Sequence, residues 1–334
     1  MASLREIKDR INSVRSTLKI TSAMKLVASA KLRKAQKAIE GMRPYERTLA
    51  EILAAVGAGG ASSTPTHASP VPSFAAEKAE PMLPDGEGSG AAGFVAPNPV
   101  SAKAESEDGS RDAGTSGRSA ATAIVAIASN SSLCGGFNAN VVKKALEAIR
   151  ACEGEVEVYP IGRKMAEALR RAGYPADRDY NDLIGHPAFD KSAALARSLA
   201  ERFERGELSR VVLVYNRFAS ASRQEPVAET WLPFGEILRF AQDDRNLAAD
   251  DVEYILEPDA VTLVSRLLPQ VTMLKFHAAI LDSAAAEQAA RTIAMQTATD
   301  NAEDLLGELT LEYNKGRQQK ITGEILDLIG GAAE

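Results

Sequence analysis

The chain has 334 residues, of which 45% are hydrophobic, 25% charged and only 5% aromatic, and it carries a formal net charge of −6. No run approaches the roughly 18 apolar residues that a bilayer crossing needs, and the charged, helix-forming start does not resemble a secretory leader. Two cysteines, Cys134 and Cys152, are too few for a disulfide framework, and His67, His186 and His277 stand apart, which argues against a histidine metal site or a nucleophile triad.

At the N-terminus, Leu4, Ile7, Ile11, Val14, Leu18, Thr21, Lys25, Ala28, Leu32, Ala35, Ile39, Met42, Glu46, Leu49, Leu53 and Val56 recur at alternating steps of three and four. Only Thr21, Lys25 and Glu46 interrupt this apolar stripe. A repeat averaging 3.5 residues and held so long is that of a coiled-coil seam. Residues 1–57 are therefore predicted to form a coiled-coil helix, opened by a capping box at Ser3 and Glu6 and bent at Arg43-Pro44. Such a helix spans roughly 80–90 Å, longer than a globular core requires. Residues 1–47 hold twelve Lys or Arg against four acids, so the helix is basic in an otherwise acidic chain.

Residues 58–120 are rich in Gly, Ala, Ser and Pro and poor in β-branched and aromatic residues, and they read as a disordered insertion. From 121 to 257 the periodicity shortens. Strands are predicted at 123–127, 156–161, 211–218, 230–234 and 252–256, and helices at 140–151, 164–172 and 191–205. This alternation implies a small Rossmann-like α/β domain on a mostly parallel sheet. Residues 258–334 return to helix, with Pro269 expected in the first turn of the long terminal element and a second seam through Val264, Leu267, Val271, Leu274, Ala278, Leu281 and Ala285, resuming at Met295, Ala302, Leu306, Leu309 and Tyr313. The predicted fold is thus α/β with α+β character: an antiparallel coiled coil of the two terminal helices, with the small α/β domain hanging from one end.

The stretch from Ser129 to Asn138 contains Leu133-Cys134-Gly135-Gly136 between a strand and a helix, where glycine-rich loops can cradle phosphates. Its spacing fits neither the dinucleotide fingerprint nor the P-loop, so it is read as a tight turn that permits close helix–sheet packing. At the C-terminus a polar band from Asn314 to Lys320 precedes an apolar tip at Ile321, Ile325, Leu328 and Ile329. An apolar helix end with nothing left to pair with suits insertion into a partner's collar.

These segments resemble the gamma subunit of F-type rotary ATP synthases. The resemblance is carried by Ser3-Leu-Arg-Glu-Ile-Lys8, Lys19-Ile-Thr-Ser-Ala-Met-Lys-Leu-Val-Ala28, Arg43-Pro-Tyr45, Ser132-Leu-Cys-Gly-Gly-Phe-Asn138, Ala298-Thr-Asp-Asn-Ala302, Tyr313-Asn-Lys-Gly-Arg-Gln318 and Ile321-Thr-Gly-Glu-Ile-Leu-Asp327. It implies a rotor shaft threaded through a hexamer of alpha and beta subunits, with the α/β domain outside beside the epsilon subunit and the membrane ring of c subunits. It implies contacts with the hexamer at Met24, Lys25, Arg317, Gln318 and Thr322, and a tip including Leu326 and Ile329 that turns in an apolar sleeve. It further implies no cofactor and no catalytic or metal residue in this chain, and a peripheral place on the cytoplasmic face of a bacterial inner membrane, held there through the complex. Asn130 and Ser132 stand where the commoner family pattern has Asp and Gly, and the 58–120 insertion is foreign to that pattern. The alternative readings are a basic coiled coil that binds nucleic acid or serves as a scaffold, and an α/β enzyme with a nucleotide in the Gly135-Gly136 turn.

Overall fold

A computed structural model describes residues 3–59, 120–176, 180–185, 187–233 and 260–331. Residues 60–119 of the expected insertion and the strand expected at 252–256 lie outside these residues, while 58–59 continue the first helix. The first helix, α1, covers Leu4–Gly59, and the last, α6, covers Ala260–Gly331. Their 56 and 72 residues correspond to about 84 and 108 Å of helix at 1.5 Å per residue. The capping box forms as the sequence predicts: the Ser3 amide donates to Glu6 Oε2 at 3.0 Å, and the Glu6 amide to Ser3 Oγ at 3.3 Å.

The two helices pair antiparallel. Leu4 meets Gly316 near one end, Thr21 meets Thr299, and Leu32, Ala35 and Ile39 pack with Leu281, Ala285 and Ala289. Met42 and Leu49 then close on Leu267, Val271 and Leu274. Every stripe position of α1 from Leu4 to Leu53 is buried or half-buried, including the three polar interruptions. Thr21 is accommodated because the Thr299 hydroxyl lies 3.0 Å from its own, so neither buried hydroxyl lacks a partner.

Proline does not divide these helices. α1 is continuous through Pro44, and Pro269 sits inside α6, which already runs from Ala260; it is not in the first turn, contrary to the sequence expectation. A proline forfeits one helical hydrogen bond. Here the flanking Leu268, Val271 and Thr272 are buried, and Thr272 Oγ1 donates to the Leu268 carbonyl at 2.7 Å, so packing holds the helix through the defect.

Between the long helices lie β1 (Ala121–Ile127), α2 (Phe137–Arg150), β2 (Val156–Ile161), α3 (Arg163–Arg171), the single turn α4 (Asp182–Gly185), α5 (Phe189–Glu204), β3 (Leu208–Phe218) and β4 (Gln224–Leu232). The sheet order is β2-β1-β3-β4, with β1 parallel to both neighbours and β4 antiparallel to β3. β4 begins six residues before the predicted 230. Its first half, Gln224-Glu-Pro-Val-Ala-Glu229, is too polar to announce a strand, and Pro226 is tolerated because, among the described residues, β4 is hydrogen-bonded on one side only.

Alternation along β1 feeds two cores. Ile124 and Ala126 face α2 and α3 through Val141, Ala145, Ile149, Met165 and Leu169. Ala123, Val125 and Ile127 face α5 and also α6, through Leu195, Leu199, Phe276 and Ile280. Trp231 seals this junction: its ring lies 5.2 Å from that of Phe276, and its Nε1 donates to the Thr272 carbonyl at 3.0 Å. α6 is therefore apolar on two faces, one for α1 and one for the sheet. The long helix and the α/β domain share a single core.

Candidate functional site

α6 outruns its partner. Ser3, Leu4 and Ile7 line a groove with Glu312, Gly316 and Lys320, and beyond this level α6 has no helix beside it among the described residues. Gly316 allows a close approach at the crossing, since a Cβ there would lie 3.0 Å from Leu4 Cδ2 and that side chain would have to shift by a few tenths of an ångström. The last turns then present Ile321, Ile325, Leu326 and Leu328 to solvent, the last of them 75% exposed. The Ile329 side chain lies outside the described ones. Arg317, Gln318 and Thr322 are all exposed, Thr322 Oγ1 donates to the Gln318 carbonyl at 2.9 Å, and Lys320 lies 3.6 Å from Glu324.

Met24 and Lys25 are half-buried and belong to a different level of the rod. Thr21 opposes Thr299, so the eighteen residues from Thr299 to Arg317 put about 27 Å between that level and the polar band. The sequence-predicted contact residues therefore form two separate tiers. The structure adds apolar neighbours to the first tier that lie off the seam: Ile20, Leu26 and Val27 are 60%, 70% and 57% exposed. They could have been found as aliphatic residues lying off the stripe of a helix that is otherwise basic outside its seam.

The glycine-rich turn is a docking element. Cys134 and Phe137 are buried against Ala286, and a Cβ on Gly135, whose φ is +58, would lie 3.8 Å from Ala294 of α6. Arg291 Nη2 donates to Ser131 Oγ and also pairs with Glu287, both at 2.7 Å, which ties the turn to α6. Burial raises the Glu287 carboxyl above the ordinary range, against the pull of Arg291 and Lys31. Inside the turn, Ser129 Oγ lies 2.9 Å from Asn138 Oδ1, and Asn138 Nδ2 lies 3.2 Å from Cys134 Sγ. These contacts knit the turn's own side chains to one another.

Asn130 accepts from the Arg163 amide at 3.0 Å and donates to the Asn181 carbonyl at 2.8 Å. This gives the departure at that position a physical reason, because a carboxylate could accept the first bond but could not donate the second. Leu133 takes φ +66 and is 57% exposed, so it bears left-handed strain with little compensating burial. Leu133→Gly is expected to raise stability by up to about 1 kcal/mol and Leu133→Val to lower it, as read from urea midpoints.

At the far edge of the domain, a cavity of about 710 Å³ borders β2, with Tyr159, Tyr180 and Arg202 in its wall. Arg202 is bound by Glu157 at 2.7 Å and by Glu207 at 2.7 Å, so its charge is already neutralised. The hydrogen bond from Arg202 holds the Glu157 carboxyl below its usual range. Among the described residues no cluster of His, Cys, Asp or Glu is arranged to hold a metal ion, and no helix is long and apolar enough to cross a membrane.

A family model described as ATP synthase matches residues 3–333. The chain is 42% identical over 336 residues to an ATP synthase gamma chain of Bacteroides fragilis, with 99% of each chain covered. It is 40% identical to that of Phocaeicola vulgatus, again with 99% of each covered, and 35% identical to that of Flavobacterium johnsoniae, with 99% and 98% covered. These alignments run through 58–120, so that segment is not foreign to the relatives, contrary to the sequence expectation. In fold the chain is similar to a chain in the cryo-EM structure of the Euglena gracilis mitochondrial ATP synthase rotor, with a TM-score of 0.55, 17% identity, and 95% of this chain and 98% of that one covered. The match over residues 3–333 and the 35–42% identity across nearly the whole of each chain lead to one assignment: the chain belongs to the ATP synthase gamma chain family.

Proposed function

We infer that this chain is the central-stalk rotor subunit of an F-type ATP synthase, coupling ion flow to ATP synthesis or hydrolysis by rotation and carrying none of the chemistry itself. The observation that carries this reading is the shared core of α6. Phe276 and Ile280 lock the helix into the α/β domain, while Leu281, Ala285 and Ala289 lock it to α1. A twist applied at the domain therefore passes into the rod through close packing, which yields little under load.

In this reading the rod lies inside a hexamer of alpha and beta subunits, and the α/β domain meets the epsilon subunit and the c-ring at the cytoplasmic face of a bacterial inner membrane. Met24 and Lys25, with Ile20, Leu26 and Val27 beside them, form one contact tier. Arg317, Gln318 and Thr322 form the second, and Leu326 and Ile329 belong to a tip that turns in an apolar collar. Exposed ion pairs of up to about 1 kcal/mol suit contacts that break at every step, and apolar contact, being non-directional, lets the tip slide. Because the rod's faces differ by direction, each catalytic neighbour meets a different surface as the shaft turns. Each contact then biases that neighbour's open and closed states by differential binding.

The test is co-purification from detergent-solubilised membranes. A tagged chain is expected to bring alpha, beta, epsilon and c subunits at fixed stoichiometry. Recovery of the chain alone, or its retention on a nucleic-acid column with a steep salt dependence, would overturn the assignment.

A further inference from the structure

Where the rod meets the sheet, four elements contribute ionisable groups to one partly buried cluster. α1 supplies Arg43 and Glu46, β3 supplies Tyr215 and Arg217, β4 supplies Glu229, and α6 supplies Lys275 and Asp282. Asp282 is central. Its carboxylate is 15% exposed and lies 3.5 Å from Arg43 Nη2, while Arg43 itself is 58% exposed. The other cation acting on it, Arg217, is already paired with Glu229, which also accepts from Tyr215 Oη at 3.0 Å. Glu46, from the facing helix, opposes Asp282 with like charge.

The site thus desolvates a carboxylate more thoroughly than it neutralises it. Arg43 is long and solvated, Arg217 is committed elsewhere, and Glu46 repels. We propose that this neck is a proton-responsive clamp: seating α1 on α6 and the sheet takes up a proton at Asp282, so that acidification tightens the junction of shaft and domain and alkalinisation loosens it.

The direction of titration agrees. Burial pushes the Asp282 carboxyl up to about 6 despite Arg43, and burial likewise raises Glu46 despite Lys275 and Arg43. A group raised on folding contributes stability that is complete below its unfolded pKa and is lost as pH climbs through the folded one. For Asp282 that window runs from about 4 to about 6. With those two values, closure of the neck should gain about fourfold between pH 7.5 and pH 5.5.

Amide hydrogen exchange of the full-length chain at pH 7.5 and 5.5, corrected for intrinsic rates, tests this across residues 39–53 of α1. Wild type is expected to gain at least about fourfold in protection at the lower pH, Asp282→Asn to lose the fourfold share and keep only what Glu46 adds, and Asp282→Glu to keep the whole gain. Arg43→Gln, a change at an exposed position, should move the midpoint upward by removing the cation that faces Asp282. If Asp282→Asn does not fold, this second variant decides alone. An Asp282→Asn protein with the wild-type pH response, or an Arg43→Gln protein with an unmoved midpoint, would overturn the proposal.

Discussion

Gly162→Ala is expected to destroy the α/β domain, at a cost of at least about 4 kcal/mol, as followed by the fluorescence of the chain's single tryptophan, Trp231. Gly162 closes β2 onto α3 with φ +98, and a Cβ there would sit 2.0 Å from the Ala128 carbonyl oxygen and 2.8 Å from its carbon. The obstacle is backbone that cannot swing aside. The Ala128 amide donates to the Ile161 carbonyl at 2.8 Å, and the next carbonyl, Ser129, accepts from Lys164 at 3.0 Å. Relieving the clash means parting β1 from β2 at the end where the glycine-rich turn begins. Gly154 supplies the control, since its φ is +102 but nothing lies within 4 Å of a Cβ built there. Gly154→Ala should therefore cost only the strain of a left-handed residue, about 1–2 kcal/mol. If the two variants were equally destabilised, conformation rather than the close approach would govern Gly162.

The same contrast between local pattern and distant partner decides what could be read in the sequence. The seam was legible because its 3.5-residue rhythm is a property of one helix at a time, and even its interruptions kept their place. Thr21 found Thr299, and Glu46 found a cation in Lys275. The free tip was legible for the same reason, as aliphatic residues continuing past the point where α1 begins. What could not be read depends on residues far apart in the chain. Asn130 gains its meaning from Asn181, 51 residues on, and Pro226 is permitted because β4 lies at the edge of the sheet formed by the described residues. Pro269 sits inside a helix because burial on either side outweighs one lost hydrogen bond. The two-tier arrangement of the contact residues likewise needed the register between α1 and α6, which neither stripe contains alone.

Arg291→Met should lower stability by about 3–5 kcal/mol at neutral pH. The pair it breaks is nearly enclosed, with side chains 10% and 8% exposed for Arg291 and Glu287. Removing the cation leaves a buried carboxylate with only the pull of Lys31 and also frees Ser131 Oγ, so the turn loses its tie to the shaft. The sign of the pH dependence follows from Glu287. Its carboxyl already stands above the ordinary range because of burial, and loss of the Arg291 attraction must push it higher. A group so raised stabilises the fold below its unfolded pKa and ceases to do so as pH rises through the folded value. The deficit of the variant should therefore be full at neutral pH and shrink as the solution is acidified and Glu287 takes a proton. The double variant Arg291→Met/Glu287→Leu removes both charges while keeping the volume, and it should recover most of the loss, because buried ion pairs contribute little beyond an apolar pair of the same shape. Chemical denaturation of the three proteins at pH 5 and pH 7.5 distinguishes the cases. A double variant as unstable as Arg291→Met would mean that the Ser131 contact, not the stranded carboxylate, carries the effect, and the tie between the glycine-rich turn and α6 would then be the stronger feature of the junction.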